Sequence, residues 1–287
     1  MDSPLIRNLG CFLRPILLGM SCLGLGSCMF APSAGPSKVR YTVQKNIVYT
    51  PPDWQSSLKA DVYVPASTSP VPAVLLIHGG GWKGGDGRWQ MRWIARRLAA
   101  RGYVVMNATY RTTPQFRYPT PLEDMRQAIV WMRTNSSTYH IDPQRIATFG
   151  YSAGGHLASL VALKDENHTA RVKAIVAGGA PFDLKLYPGG DLVPAFLGGT
   201  QSQVPEKFRD ASPLYHVGKN SPPIFIYHAA EDKLVQPDHA LRMQAAYARI
   251  GKPTGIYWIP KRGHIDGFFF SGHAVDAAID FLDRTMK

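Results

Sequence analysis

Beyond residue 28 the chain has no cysteine: Cys11, Cys22 and Cys28 are the only three. Whatever folds downstream therefore has no thiol for a disulfide, for zinc or for attack on a substrate. Long apolar runs are also missing. The N-terminal stretch from Ile16 to Gly26 is shorter than the ~20 residues a membrane-spanning helix needs, so a transmembrane span is not expected. Metal-ligand spacing is lacking too, since His228 with Asp232, or His264 with Asp266, has no third ligand at a recognisable interval. No metal or cofactor is expected. Internal repeats and signs of a second domain are likewise absent. Acidic residues are scarce: 20 Asp and Glu face 32 Lys and Arg, a formal charge of +12. Such a surface suits polyanions, and in an exported protein the expected contacts are anionic lipid, cell wall or acidic polysaccharide rather than nucleic acid.

What is present begins with an export signal. MDSPLIRNLGCFLRPILLGMSCLGLGSC places Arg7 and Arg14 ahead of an apolar stretch followed by small residues, the order of a secretory signal. Leu25-Gly26-Ser27-Cys28 resembles a bacterial lipobox, whose cysteine is lipidated. Residues 1–27 are thus expected to be a signal peptide of lipoprotein type, 28–38 a Pro, Ser and Gly-rich tether, and 39–287 one catalytic domain. The expected location is exported, either membrane-attached through Cys28 or periplasmic or secreted.

The body of the chain alternates. Val39–Tyr49 and Leu58–Val64 read as half-exposed strands, and Ala73–Ile77 as a strand buried on both faces. Helical periodicity follows at Arg88–Ala100, where Arg88, Arg92 and Arg96 fall on one face and are expected to be solvated. Tyr103–Ala108 reads as a strand. Pro121–Arg133 reads as a helix opened by a Thr120–Glu123 capping box with proline at its first position. Further strands are expected at Arg145–Phe149, Ala174–Ala177, Ile224–Tyr227 and Gly255–Ile259, and helices at Leu157–Leu163, Pro237–Ile250 and Ala274–Thr285. This alternation predicts an α/β fold with a mainly parallel sheet, helices on both faces and no large cap, its reactive groups in strand-to-helix loops. Leu184–Gly218 is the least regular stretch and reads as a surface excursion or a small helical flap.

The chemistry lies in three of those loops. Gly150-Tyr151-Ser152-Ala153-Gly154 matches the Gly-x-Ser-x-Gly elbow, a tight strand-to-helix turn with no room for bulk two residues either side of the serine. A serine hydroxyl needs a base to attack at neutral pH, and the elbow presents it to one. The expected chain order is serine, acid, histidine. Asp232, in the loop after Ile224–Tyr227, is the leading acid, with Glu231 and Asp183 as rivals. His264, in the glycine-flanked loop KRGHIDG, is the expected base. His78 and His156 adjoin the glycine loop and the elbow helix and are expected to hold local structure. His228, His239 and His273 are assigned surface or satisfied core roles. The loop His78-Gly79-Gly80-Gly81-Trp82 has open glycine backbone after a buried strand. Gly81-Trp82-Lys83-Gly84 lacks the lysine followed by serine or threonine of a phosphate loop, so the reading is an oxyanion hole with donors Gly80, Gly81 and Ala153.

With these motifs the chain resembles the α/β-hydrolase superfamily, and within it compact esterases related to the hormone-sensitive-lipase, acetyl esterase and feruloyl esterase groups. LKADVYVP, ATYRTTP, FGYSAGGHLASL and ASPLYHV add to the likeness, which runs from about Leu58 to the C-terminus. Too few residues precede His78 for the helical cap of the hormone-sensitive-lipase group. The resemblance implies a serine carboxylic-ester hydrolase acting on small or short-chain acyl esters, free or polysaccharide-linked, through an acyl-enzyme. A formamidase or amidase of the kynurenine formamidase type is the alternative on the same scaffold.

Overall fold

The computed structural model describes residues 38–164, 170–187 and 190–287. The expected signal, Cys28 and the tether up to residue 37 lie outside these residues. Among them eight strands form one sheet: β1 (Tyr41–Val48), β2 (Lys59–Pro65), β3 (Val71–Ile77), β4 (Val104–Ala108), β5 (Ile141–Tyr151), β6 (Ala174–Gly178), β7 (Ile224–Ala229) and β8 (Ile256–Ile259). Their order is β1-β2-β4-β3-β5-β6-β7-β8. β1 and β2 join antiparallel, as do β2 and β4, and every pair from β4 to β8 is parallel. Eight helices accompany them: α1 (Arg88–Ala100), α2 (Thr120–Thr134), α3 (Ala153–Leu163), α4 (Leu192–Leu197), α5 (Pro205–Asp210), α6 (Asp238–Arg249), α7 (His264–Phe269) and α8 (Ala274–Met286).

The continuous apolar run of β3 is explained by two cores. Ala73, Leu75 and Ile77 pack into one with residues of α2, α3 and α6. Val74 and Leu76 point to the other, with α1 and α8. Successive side chains of a strand face opposite ways, so a strand covered on both sides favours apolar residues at consecutive positions. From β3 the chain crosses by α1 to β4 on one side and then by α2 to β5 on the other. The sheet order therefore reverses about β3. A crevice opens at the carboxyl ends of β3 and β5, where open α/β sheets bind ligands.

Two local expectations are corrected. Arg88 is not solvated: only 7% of it is exposed. Its guanidinium reaches Asp61 on β2 at 2.7 Å, Asn46 at 2.9 Å and Asp86 at 2.7 Å. The buried Asp61 carboxylate needs a countercharge, and the first residue of α1 lies across β2, whereas Arg92 and Arg96 remain exposed. The capping box is not made either. Thr120 is already inside α2, Pro119 takes the cap position, and no side chain caps the helix. A capping hydroxyl must sit one residue before the helical turn, and this helix starts too early for Thr120 to serve.

The elbow helix α3 also starts four residues before the expected Leu157, directly after Ser152. Leu184–Gly218 contains α4, α5 and two short 3-10 turns, at Leu184–Leu186 and Pro213–His216. No helix of the described residues is long and apolar enough to cross a membrane.

Candidate active site

Ser152 sits between β5 and α3 with φ 56° and ψ −126°, a conformation that costs an L-residue about 1–3 kcal/mol and persists only where the surroundings enforce it. They do. Its amide donates to Gly178 O at 2.8 Å and its carbonyl accepts from His156 N at 2.9 Å. A Cβ on Gly150 would lie 2.2 Å from Gly154 C, and one on Gly154 would lie 2.1 Å from Ile77 O. The small flanks let α3 start against the end of β3, leaving the serine at the carboxyl edge of the sheet.

The loop after β7 and the first residue of α7, after β8, meet it there. His264 Nε2 is 2.8 Å from Ser152 Oγ, and His264 Nδ1 is 2.6 Å from Asp232 Oδ2. An ionised Asp232 can only accept, so Nδ1 carries the proton and Nε2 is left to accept from the serine hydroxyl. The other carboxylate oxygen, Oδ1, accepts from Leu234 N at 3.0 Å and Val235 N at 2.8 Å. Asp232 and His264 are 3% and 7% exposed, dry enough for their attraction to be little screened. His264 opens the short helix α7 rather than standing in a loop. Its carbonyl accepts from the Tyr151 hydroxyl at 2.6 Å. Tyr151 fills the variable place before the serine in the elbow, and nothing in the motif marks it for this task.

The rival acids are elsewhere occupied. Glu231 is exposed. Asp183 is buried, and its carboxylate accepts from Lys185 N at 3.2 Å, Arg242 at 3.1 Å and Tyr215 at 3.4 Å.

The glycine loop turns over beside Ser152. Gly80, Gly81 and Trp82 have φ of 110°, 61° and 58°, and Lys83 N closes the turn on Gly80 O at 3.1 Å. Among the described residues the amides of Gly80, Gly81 and Ala153 donate to no other group of the chain. Trp82 anchors the loop: its ring stacks on Phe196 of α4 at 4.5 Å, and its Nε1 donates to His156 Nδ1 at 3.2 Å. His156 Nε2 in turn donates to Ala211 O at 2.7 Å. His78 Nδ1 lies 2.7 Å from Gly79 O, and its ring stacks on Tyr110 at 4.5 Å. Both histidines hold local structure. Burial lowers each to a pKa of about 4, so each ring is neutral at pH 7. His239 is buried too, accepting from Asp183 N at 3.2 Å, and His273 is exposed.

Gly80, Gly81, Ser152, Ala153 and His264 open into one cavity of about 630 Å³, walled by apolar side chains that include Trp89, Leu192, Leu234, Ile265 and Phe269. Leu192 belongs to α4, so part of the irregular 184–218 stretch does border the site. Of this apolar rim the base-loop stretch HIDGFFF supplies Ile265, Phe268 and Phe269, and the rest comes from distant segments. Cavities of about 790 and 660 Å³ share Arg171, Val172 and Lys173 and contain neither Ser152 nor His264. Among the described residues no group of three or more His, Cys, Asp and Glu side chains is arranged to hold a metal ion.

The BD-FAE family model matches residues 60–247, which takes in the glycine loop, the elbow and Asp232. Esterase LipC of Mycobacterium tuberculosis is 30% identical over 215 residues, which are 69% of this chain and 53% of that protein. Probable carboxylic ester hydrolase LipM of the same organism is 29% identical over 230 residues, 74% and 53% of the two chains. The chain thus spans about half the length of these curated relatives. Among solved structures, a truncated carbohydrate esterase from gut microbiota superposes with a TM-score of 0.77 at 21% identity, over 88% of this chain and 99% of that one. Thermogutta terrifontis esterase 2, phosphoramylated by tabun, does so with a TM-score of 0.71 at 25% identity, over 87% and 96%.

Proposed function

The chain is an α/β-hydrolase of the BD-FAE family, and on that premise we propose that it is a serine carboxylic-ester hydrolase working through Ser152, His264 and Asp232. The observation that carries this reading is the unbroken relay from Ser152 Oγ to His264 at 2.8 Å and from His264 to Asp232 at 2.6 Å. As Ser152 Oγ bonds to the acyl carbon, its proton passes to His264 Nε2, and Asp232 stabilises the imidazolium. The carbonyl oxygen gains negative charge and is received by the Gly80, Gly81 and Ala153 amides, which have no other acceptor to release. His264 then gives the proton to the departing alkoxide, and the alcohol leaves an acyl-serine. Water, deprotonated by the same imidazole, attacks that ester, and the acid departs with Ser152 restored.

The apolar walls suit small or short-chain acyl groups, and the alcohol side can be a sugar unit of a polysaccharide. Relatives and neighbours bearing esterase names support the ester reading, and the comparisons do not favour the formamidase alternative. Turnover of nitrophenyl acetate tests the assignment: Ser152→Ala and His264→Ala are each expected to lose at least ~10³-fold in kcat, and wild-type-like turnover in either rules it out. An acyl series from acetyl to octanoyl, with formylkynurenine alongside, sorts the substrates. The reading extends to location: an exported protein attached to membrane through a lipidated Cys28. Incorporation of an alkyne-tagged fatty acid in the wild type but not in Cys28→Ser is expected.

A further inference from the structure

A second histidine stands behind the acid. His228, near the carboxyl end of β7, has no exposed surface. Its Nε2 is 2.8 Å from Val235 O, and a carbonyl can only accept, so Nε2 carries a proton. Its Nδ1 has no partner. The ring is therefore neutral and donates through one nitrogen alone, and its burial keeps its pKa below the usual histidine range.

Val235 is thereby held through both backbone groups, because its N–H donates to Asp232 Oδ1 at 2.8 Å. The loop of four residues closes on itself: His228 grips Val235, Val235 and Leu234 grip Oδ1, and Oδ2 is left facing His264. The same His228 Nε2 lies 3.6 Å from Oδ2. That is too long for a hydrogen bond, so the donor is committed to Val235 O and acts on the carboxylate through the loop.

We propose that His228 is a positioning residue, one that sets the rotation of the Asp232 carboxylate, and through it His264, by tying down the 232–235 loop. The inference rests on the catalytic reading of Ser152. It differs from a plain core-filling role in one respect: filling needs only volume, whereas positioning needs the donor. Without the donor, Val235 O is buried and unpaired, the loop must shift to find it a partner, and Oδ2 turns away from Nδ1. A displacement of about an ångström in a reacting assembly can cost on the order of 10²-fold in rate.

The experiment compares His228→Leu, which keeps the volume and removes the donor, with His228→Gln, whose amide nitrogen reaches about as far as Nε2. Steady-state kinetics on nitrophenyl acetate are read together with the low-field proton resonance of the His264 Nδ1–H. His228→Leu is expected to lower kcat about 10- to 100-fold with KM within about twofold, and to shift or broaden that resonance. His228→Gln is expected to restore both. If His228→Leu does not fold, His228→Asn, whose donor stops short of Val235, takes its place. Wild-type kcat with an unmoved resonance in the donor-less variant overturns the proposal, as does a His228→Gln variant no better than His228→Leu. Ser152→Ala is run beside them: full activity there overturns the reading of the site and this inference with it. An inactive Ser152→Ala beside a wild-type-like His228→Leu overturns the inference alone.

Discussion

Adding one methyl group at Gly154 separates the geometry of the elbow from its chemistry, because no reacting atom changes. A Cβ built there lies 2.1 Å from Ile77 O, 2.5 Å from His78 O and 2.7 Å from His78 C. All three are backbone atoms of the strand end and glycine loop, so no side chain can swing aside. Carbon and oxygen meet comfortably at about 3.3 Å or beyond, so the first turn of α3 and the end of β3 must separate by more than ~1 Å. That movement shifts Ser152 and Ala153 against Gly80 and Gly81, and a shift of this size costs about 10²-fold in rate. Overpacking of a tight site costs about 1–3 kcal/mol, or roughly 2–12 °C in Tm for a domain of this size. Gly154→Ala is therefore expected to fold, to melt several degrees lower, and to lose at least ~100-fold in kcat/KM on nitrophenyl acetate. Gly218→Ala is the control, since a Cβ there meets nothing within 4 Å. A Gly154→Ala enzyme within about threefold of wild type, with an unchanged Tm, would refute the claim that the close approach of α3 to β3 fixes the serine.

Asp232→Asn should lower kcat by about 10³- to 10⁴-fold with a small change in KM, because an amide nitrogen turned toward His264 selects the wrong tautomer; equal losses in kcat and binding would contradict this. Arg88→Ala should cost about 3–5 kcal/mol by stranding the buried Asp61, while Arg92→Ala stays within about 0.5 kcal/mol, as read by urea midpoints. Acid should weaken the fold through His78 and His156, whose folded pKa values are both about 4. Between the unfolded value of about 6.5 and about 4 the unfolded chain binds the extra protons, so stability is full above that window and falls as pH drops through it. The slope reaches about 1.4 kcal/mol per pH unit for each ring. A urea midpoint that stays flat from pH 7 to pH 5 would count against buried neutral rings.

Much of this molecule could be read from its letters, for reasons that differ by element. The β3 run and its glycines were legible because a strand buried on both faces favours consecutive apolar residues, and the elbow because its turn permits only small flanks. The Asp232 and His264 loops followed from the order of strands and helices. Pairing across the sheet was not legible: the antiparallel β1 and β2 beside β4 are set by contacts between distant segments. The same holds for Arg88, which looks like one of three surface arginines until Asp61 is brought against it from β2. Thr120 failed as a cap because the helix starts one residue earlier than the motif implies. Tyr151 escaped notice because it acts on a segment more than a hundred residues away, and His228, read from the letters as a surface or satisfied core residue, meets a backbone carbonyl that no sequence spacing reveals.

Ser152 as the nucleophile is the centre of the proposed chemistry. Intact-mass and peptide analysis after brief exposure to a fluorophosphonate is its most direct measurement. One adduct per chain on the Ser152 peptide is expected, with none in Ser152→Ala and much slower labelling in His264→Ala. Labelling at any other residue, or equal labelling of Ser152→Ala, would contradict it.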